Sequence, residues 1–175
     1  GHAGFGLDYG FGGDPNAFVA LAIDPKSKNI WIYDEMYTYH QTTPHIAEWL
    51  KKNGYQHANI YADSASPERT QQLLDLDIDN IQSVVKTPIE AGIDQLWQYK
   101  IHVHPKCKNI WNEFNNYVFD TDNIGNTLNR PKDENNHAID ALRYAVRQYM
   151  DMYDGSMGVD WGNQYHIARE MGLDI

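Results

Sequence analysis

Residues 5–37 read FGLDYGFGGDPNAFVALAIDPKSKNIWIYDEMY, and this stretch decides the fold that the sequence predicts. It contains three apolar runs, at residues 5–9, 18–23 and 30–37, separated by short turns rich in glycine, proline, aspartate and asparagine. Apolar runs of this length between such turns are typical of β-strands. Strands joined by short turns pair with one another, so the stretch predicts a three-stranded antiparallel meander.

Helical and extended patterns alternate after the meander. Strands are predicted at residues 59–62, 81–85 and 101–104, and a hairpin is predicted over residues 117–129. A first helix is predicted from Thr43 to a stop at Asn53-Gly54, and a second begins after an N-cap at Ser66. Further helices are predicted over residues 89–99, from Pro105 and from Asn136. Three antiparallel strands followed by alternating helices and strands predict an α/β domain with a mixed sheet flanked by helices. That order of elements is the order of a ribonuclease-H-like fold.

The size of the chain predicts one domain with a real hydrophobic core. It has 175 residues, of which 42% are hydrophobic, a composition that favours a compact globule. Residues 4–153 are assigned to this domain and residues 154–175, which begin among glycines, to a C-terminal tail. Residues 1–3 read as a cloning scar, which would place the natural N-terminus further upstream. No apolar stretch approaches the roughly 20 residues of a membrane span, and the single cysteine, Cys107, fits a reducing compartment.

The net charge restricts how the chain can bind nucleic acid. The formal charge is -10 at pH 7, whereas simple DNA-binding domains are usually basic. Either the protein does not contact nucleic acid, or its acids are concentrated at a metal site while something else supplies most of the binding. Composition does not choose between these two interpretations.

Three aspartates stand where a fold could bring them together. Asp8 and Asp63 each end a predicted strand, and Asp140 lies in the first turn of the last predicted helix, three residues after His137. Each has an ordinary alternative role, as a turn residue or as an acid favoured by the helix dipole. Packed together without a cation, however, the three would repel one another. Such a cluster holds divalent metal ions, with Asp14 as a less secure candidate ligand.

Three segments carry a resemblance to a known family. Residues 6–10 read GLDYG, residues 60–65 read IYADSA and residues 136–144 read NHAIDALRY. In order and spacing they resemble the C-terminal nuclease domain of phage terminase large subunits, over about residues 5–149. The resemblance implies that Asp8, Asp63 and Asp140 bind Mg²⁺ or Mn²⁺, with two ions expected, and that His137 lies beside the metal and takes part in catalysis.

The resemblance also implies a substrate and partners. The expected activity is hydrolysis of double-stranded concatemeric DNA during viral genome packaging, by two-metal-ion catalysis. The expected partners are an N-terminal ATPase domain of the same polypeptide, absent from this sequence, and the small terminase subunit and portal. The expected location is the host cytoplasm, without a membrane.

Three basic residues of the sequence are further candidates for contacts with DNA. Lys86 precedes Thr87-Pro88 and a predicted helix start, where its ammonium could contact a DNA phosphate. Arg143 and Arg147 are four residues apart on the last predicted helix, where they could pair with acids or face the DNA.

Other functions remain open from the sequence. The same metal chemistry would serve a junction resolvase or a transposase core. The glycine-rich turn after Asp8 vaguely resembles the phosphate loop of actin-like and sugar-kinase ATPases. That architecture needs two such halves, however, and one domain of this size supplies only one. The sequence also lacks the Gly-x-x-x-x-Gly-Lys-Ser/Thr motif of other phosphate-binding loops. A non-catalytic docking domain of the same fold is the last alternative.

Overall fold

The computed structural model describes residues 1–84, 89–117, 119–121, 124–131 and 136–150. In chain order the elements are β1 (His2–Asp8), β2 (Asn16–Asp24), β3 (Asn29–Thr38), α1 (Thr43–Lys52), β4 (Ile60–Ala62), α2 (Pro67–Asp75), β5 (Ile81–Ser83), α3 (Ile89–Leu96), β6 (Lys100–Val103), α4 (Lys108–Asn115), β7 (Phe119–Thr121), β8 (Thr127–Pro131) and α5 (His137–Met150). Among the described residues, no helix combines the length and the apolar character that crossing a membrane requires.

Six of the strands form one mixed sheet in the order β5-β4-β1-β2-β3-β6. The predicted meander is confirmed, since β1 pairs antiparallel with β2 and β2 pairs antiparallel with β3. On one side, β4 pairs parallel with β1 and β5 pairs parallel with β4. On the other side, β6 pairs parallel with β3. The α/β class and the mixed sheet predicted from the sequence are therefore confirmed.

Two hydrophobic layers cover the two faces of this sheet. One layer packs α1 and α2 against the sheet through Ile46, Leu50 and Leu73, all at most 1% exposed. The opposite layer contains buried side chains of α3, α4 and α5, which pack on alternate residues of β2 and β3. Because side chains alternate along a strand, each central strand contributes to both layers. Hydrophobic side chains thus cover both faces of the sheet at its centre.

The backbone of α5 lies unusually close to β1. A Cβ atom placed on Gly6 would come within 1.8 Å of the carbonyl oxygen of Ala141, and one placed on Gly4 within 2.9 Å of that of Ala145. Glycines on β1 therefore remove the atoms that would otherwise hold the helix away from the sheet. Ala141 and Ala145, one helical turn apart and fully buried, present the matching small surface of the helix. This contact fixes the last helix over the first strand.

Several predicted boundaries differ from the structure. The helix expected from Pro105 begins at Lys108, after a turn closed by the Cys107 amide donating to the carbonyl of His104 at 2.9 Å. The helix predicted over residues 89–99 ends at Leu96. Ser66 precedes α2 as predicted, but its side chain makes no cap hydrogen bond. The predicted hairpin is confirmed as the antiparallel pair β7 and β8.

The contact between β1 and α5 predicts a large effect of a single methyl group. Gly6→Ala should lower the free energy of unfolding by about 1–3 kcal/mol, because the new Cβ meets helix backbone that cannot rotate away. Urea denaturation would measure the change. Gly13→Ala is the matched control, since a Cβ there meets nothing within 4 Å. Equal stabilities of the Gly6→Ala variant and the wild type would contradict the close approach of helix and strand.

Candidate metal centre

Asp8 and Asp63 lie side by side at one edge of the sheet. The register of the parallel strands pairs Leu7 of β1 with Ala62 of β4, so the next residue on each strand is an aspartate. The Asp63 amide donates a hydrogen bond to the carbonyl of Leu7 at 2.9 Å, which continues the ladder one step past the strands. Carboxyl ends of neighbouring parallel strands are a common place for ligand-binding side chains.

Helix α5 brings two more candidate residues to this edge. Nδ1 of His137, the first residue of α5, lies 3.2 Å from Oδ2 of Asp8. Asp140 lies less than one turn further along the same helix, and its carboxylate oxygen Oδ1 accepts hydrogen bonds from Nε of Arg143 at 3.1 Å and from Nη2 at 2.7 Å. Of the two roles that the sequence left open for Arg143, the structure shows the pairing with an acid. The structure thus places His137 in contact with Asp8 and Asp140 beside them.

Asp14 reaches the same site from the glycine-rich loop between β1 and β2. Its Oδ1 lies 3.7 Å from Nε2 of His137, and its side chain is largely exposed. The imidazole therefore lies between two carboxylates, Asp8 on one nitrogen and Asp14 on the other.

The guanidinium of Arg69 ties the loop to the helices on the other side of the sheet. It donates to the carbonyl of Gly10 at 3.0 Å, to Oδ1 of Asn16 at 3.1 Å and to the hydroxyl of Thr43 at 3.1 Å. Oδ1 of Asn16 also accepts from the Gly10 amide at 3.0 Å. A planar group with several fixed donors suits such a multiple contact.

The electrostatics of the site centre on Asp8. Burial is the main cause that raises the pKa of Asp8 to about 6; its hydrogen bond with His137 acts in the opposite direction, and the nearby carboxylates of Asp140 and Asp63 contribute to the rise. That hydrogen bond with Asp8 raises the pKa of His137 above its usual value. Negative charges thus lie close together at this edge, where solvation is reduced. A bound cation would relieve the repulsion between them.

The residues are suited to a divalent cation by chemistry and place, but their side chains are turned towards protein partners. Across the described ranges, no three His, Cys, Asp or Glu side chains lie close enough together to hold one ion as they are oriented. Asp140 faces Arg143, and Oδ1 of Asp63 accepts the amide of Ala65 at 2.9 Å. Carboxylate oxygens are the donors that Mg²⁺ and Mn²⁺ prefer. For these three aspartates to hold one ion together, the carboxylates of Asp140 and Asp63 would have to turn towards Asp8.

Comparison with known proteins identifies the family. The sequence profile of the family described as "Terminase RNAseH like domain" matches residues 8–148, which include all the candidate acids. The chain belongs to this family. Over 162 residues it is 34% identical to the terminase large subunit of Bacillus phage SPP1, an alignment that covers 90% of this chain and 38% of that protein. The chain thus spans well under half the length of this relative.

Solved structures agree with the family assignment. The large terminase (g2p) nuclease domain of bacteriophage SPP1, solved with bound Mn, superposes with a TM-score of 0.78 at 33% sequence identity, covering 85% of this chain and 87% of that one. The large terminase of a thermophilic bacteriophage, in complex with ATP-γ-S, superposes with a TM-score of 0.63 over 80% of this chain and 38% of that one. Its identity of 20% shows the fold alone. The predicted ribonuclease-H-like fold and terminase resemblance are confirmed.

One predicted contact lies outside the described residues. Lys86, expected at a DNA phosphate, falls within residues 85–88, between the described ranges, and stays a prediction.

Glu113 is a residue of the terminase domain that the sequence analysis missed. Its carboxylate oxygens accept the backbone amides of Ala138 and Ile139, each at 3.0 Å, and the residue is 6% exposed. Burial raises its pKa to about 7, although the two amides act in the opposite direction. Glu113 thus provides hydrogen-bond acceptors for two amides in the first turn of α5, the turn that carries His137 and Asp140. The available signal was its spacing of three residues from Ile110, which places an acid on the apolar face of α4.

Removal of this carboxylate should loosen the start of α5. Glu113→Ala should lower the free energy of unfolding by about 2 kcal/mol or more, because two buried amides lose their acceptor. Glu113→Gln should lose less, since its carbonyl oxygen still accepts one amide. Asn112→Ala, at an exposed position of the same helix, is the control in thermal and urea denaturation. Equal losses in the Asn112 and Glu113 variants would contradict this role.

Proposed function

We propose that this chain is the metal-dependent endonuclease domain of a viral DNA-packaging terminase, and that it hydrolyses phosphodiester bonds of double-stranded DNA. The observation that carries the proposal is the meeting of Asp8, Asp63 and the start of α5 at one edge of the sheet. A chain that belongs to the terminase family and gathers these acids at one edge has the groups that phosphodiester hydrolysis requires.

The proposed ligands are Asp8, Asp63 and Asp140, with Asp14 and His137 at the periphery. Two divalent ions, Mg²⁺ or Mn²⁺, would stabilise the charge that develops on the phosphate and make a hydroxide nucleophile available near neutral pH. The Mn bound in the SPP1 nuclease domain supports this choice of metal. Asp8 is the central ligand in this proposal, because it is the most buried of the proposed ligands and the nearest to His137.

His137 has a defined task in the proposal. Its two ring nitrogens face Asp8 at 3.2 Å and Asp14 at 3.7 Å, so the imidazole orients Asp8 and can carry a proton between the buried carboxylate and the exposed one. Because the side chain keeps some exposure, the proton can pass on to solvent. His137 would therefore support turnover without being the group that holds the ions.

The acidity of the chain suggests that other parts of the terminase supply most of the DNA binding. With a formal charge of -10, the chain can neutralise few phosphates, and counterion release contributes little. We propose that an ATPase domain of the same polypeptide, together with the small terminase subunit and the portal, holds DNA at this edge. The setting is then the cytoplasm of the infected host.

Substitution of the acids tests the nuclease. Asp8→Asn, Asp63→Asn and Asp140→Asn should each lower plasmid cleavage in Mn²⁺ by about 100-fold or more, because each loses a charged ligand. Asp75→Asn, which changes an exposed acid at the end of α2, should cut like the wild type. Full cleavage by one of the three variants would remove that residue from the site. A strong preference of the wild type for branched over linear DNA would favour a resolvase.

Metal linkage gives a test without DNA. Millimolar Mn²⁺ should raise the melting temperature of the wild type, because an ion that binds only the folded state stabilises it, by about 2.7 kcal/mol at 100 times its dissociation constant. The rise should shrink in Asp8→Asn and Asp140→Asn and persist in Asp75→Asn, as followed by differential scanning calorimetry. An equal rise in all four proteins would place the ion elsewhere.

A further inference from the structure

The glycine-rich loop presents an aromatic ring to solvent next to the candidate metal centre. Phe11 is 57% exposed. A single exposed apolar residue is common on protein surfaces and has no meaning by itself. The position of Phe11 and the rigidity of the loop that holds it are what give this ring a role.

A tight turn sets the distance from Phe11 to the site. The amide of Asp14 donates to the carbonyl of Phe11 at 2.9 Å, and Gly12 at the first central position has a positive φ of 56°, which glycine adopts at little cost. The Cα atoms of the first and last residues of such a turn, here Phe11 and Asp14, lie within about 7 Å of each other. Phe11 is therefore one turn width from Asp14, whose carboxylate oxygen Oδ1 lies 3.7 Å from Nε2 of His137.

The loop is held in place from both ends. Arg69 bonds to the carbonyl of Gly10 on one side and to the side chain of Asn16 on the other. The side-chain amide of Asn16 in turn donates to the carbonyl of Gln41 at 3.2 Å. Phe11 therefore lies on a backbone segment that is anchored on both sides, so less of the chain has to be ordered when its ring makes a contact.

The charge of the site favours an apolar contact here. Arg143 is hydrogen-bonded to Asp140 and Arg69 to the loop and to α1, so these two arginines of the described ranges already have protein partners. An aromatic face binds a nucleotide by stacking, which does not depend on neutralising phosphate and tolerates any sequence. Apolar side chains, phenylalanine among them, also insert between bases from the minor groove.

We propose that Phe11 is a DNA-contacting residue, whose ring packs against the base or sugar of a nucleotide next to the scissile phosphate. This inference rests on the proposed nuclease function and deepens it. Phe11 would fix the position of the strand on the metal centre, and it would add affinity that an acidic surface cannot obtain from charge. The contact is made before and during the reaction alike, so its loss affects binding more than the chemical step.

The test compares four proteins: the wild-type chain, Phe11→Ala, Phe11→Trp and Trp31→Ala. Trp31 is a matched control because it is also an exposed aromatic residue, at 41%, but it pairs with Ala22 towards the opposite end of the sheet from Asp8. Binding is measured by the fluorescence anisotropy of a short labelled DNA duplex with Ca²⁺ in place of Mn²⁺. Cleavage kinetics are measured in Mn²⁺, and melting temperatures verify folding.

Phe11→Ala should bind about tenfold more weakly and raise KM by a similar factor, with kcat little changed. The slope of log affinity against log salt should equal that of the wild type, because no phosphate contact is lost. Phe11→Trp should retain wild-type affinity, and Trp31→Ala should bind like the wild type.

The inference and the nuclease proposal fail in different ways. A wild-type chain that does not cut DNA in Mn²⁺ contradicts the proposed nuclease. Equal affinity and KM for Phe11→Ala and the wild type, or an equal loss in Trp31→Ala, overturn the role of Phe11 alone. A Phe11→Trp variant as weak as Phe11→Ala overturns it as well, as does a wild-type chain with no measurable DNA binding.

Discussion

The contact between Gly6 of β1 and the backbone of α5 is the constraint on which the candidate site depends. A side chain at Gly6 would collide with the carbonyl of Ala141, so only a strand without a side chain at this position lets the helix lie directly on the sheet. Helix α5 supplies His137 and Asp140, while β1 supplies Asp8. Their separation is therefore set by rigid backbone elements rather than by flexible loops, which is what a site for a small ion requires.

Around this contact, buried and half-buried polar side chains fix the elements that carry the acids. Glu113 accepts the first amides of α5, Arg143 orients Asp140 and Arg69 fixes the loop that carries Asp14. Each is hydrogen-bonded to a group whose position matters for the site, and the bond from Arg143 holds Asp140 in the orientation that an ion would have to change. The concentration of negative charge is thus supported by interactions from three directions.

The sequence predicted the strands and helices well where local chemistry decides them. The meander followed from apolar runs between glycine- and proline-rich turns, and the helix stop at Asn53-Gly54 agrees with the end of α1 at Lys52. The hydrogen bonds between distant residues could not be predicted in this way. The Glu113 contact to Ala138 and the Arg69 contact to Gly10 span 25 and 59 residues, and nothing in the local pattern encodes them. Asp8, Asp63 and Asp140 were named as a group through their resemblance to a family, because spacing alone does not bring strand ends and a helix start together.

The separation of the site residues along the chain has a consequence for the order of synthesis. Asp8 and His137 are 129 residues apart, and α5 is the last of the described helices. A growing polypeptide can pair β1, β2 and β3 early, yet it has no complete carboxylate set until α5 has left the ribosome and docked on β1. Under the proposed nuclease activity, unfinished chains would leave DNA intact, and a truncation before α5 would yield an inert protein rather than an unregulated nuclease.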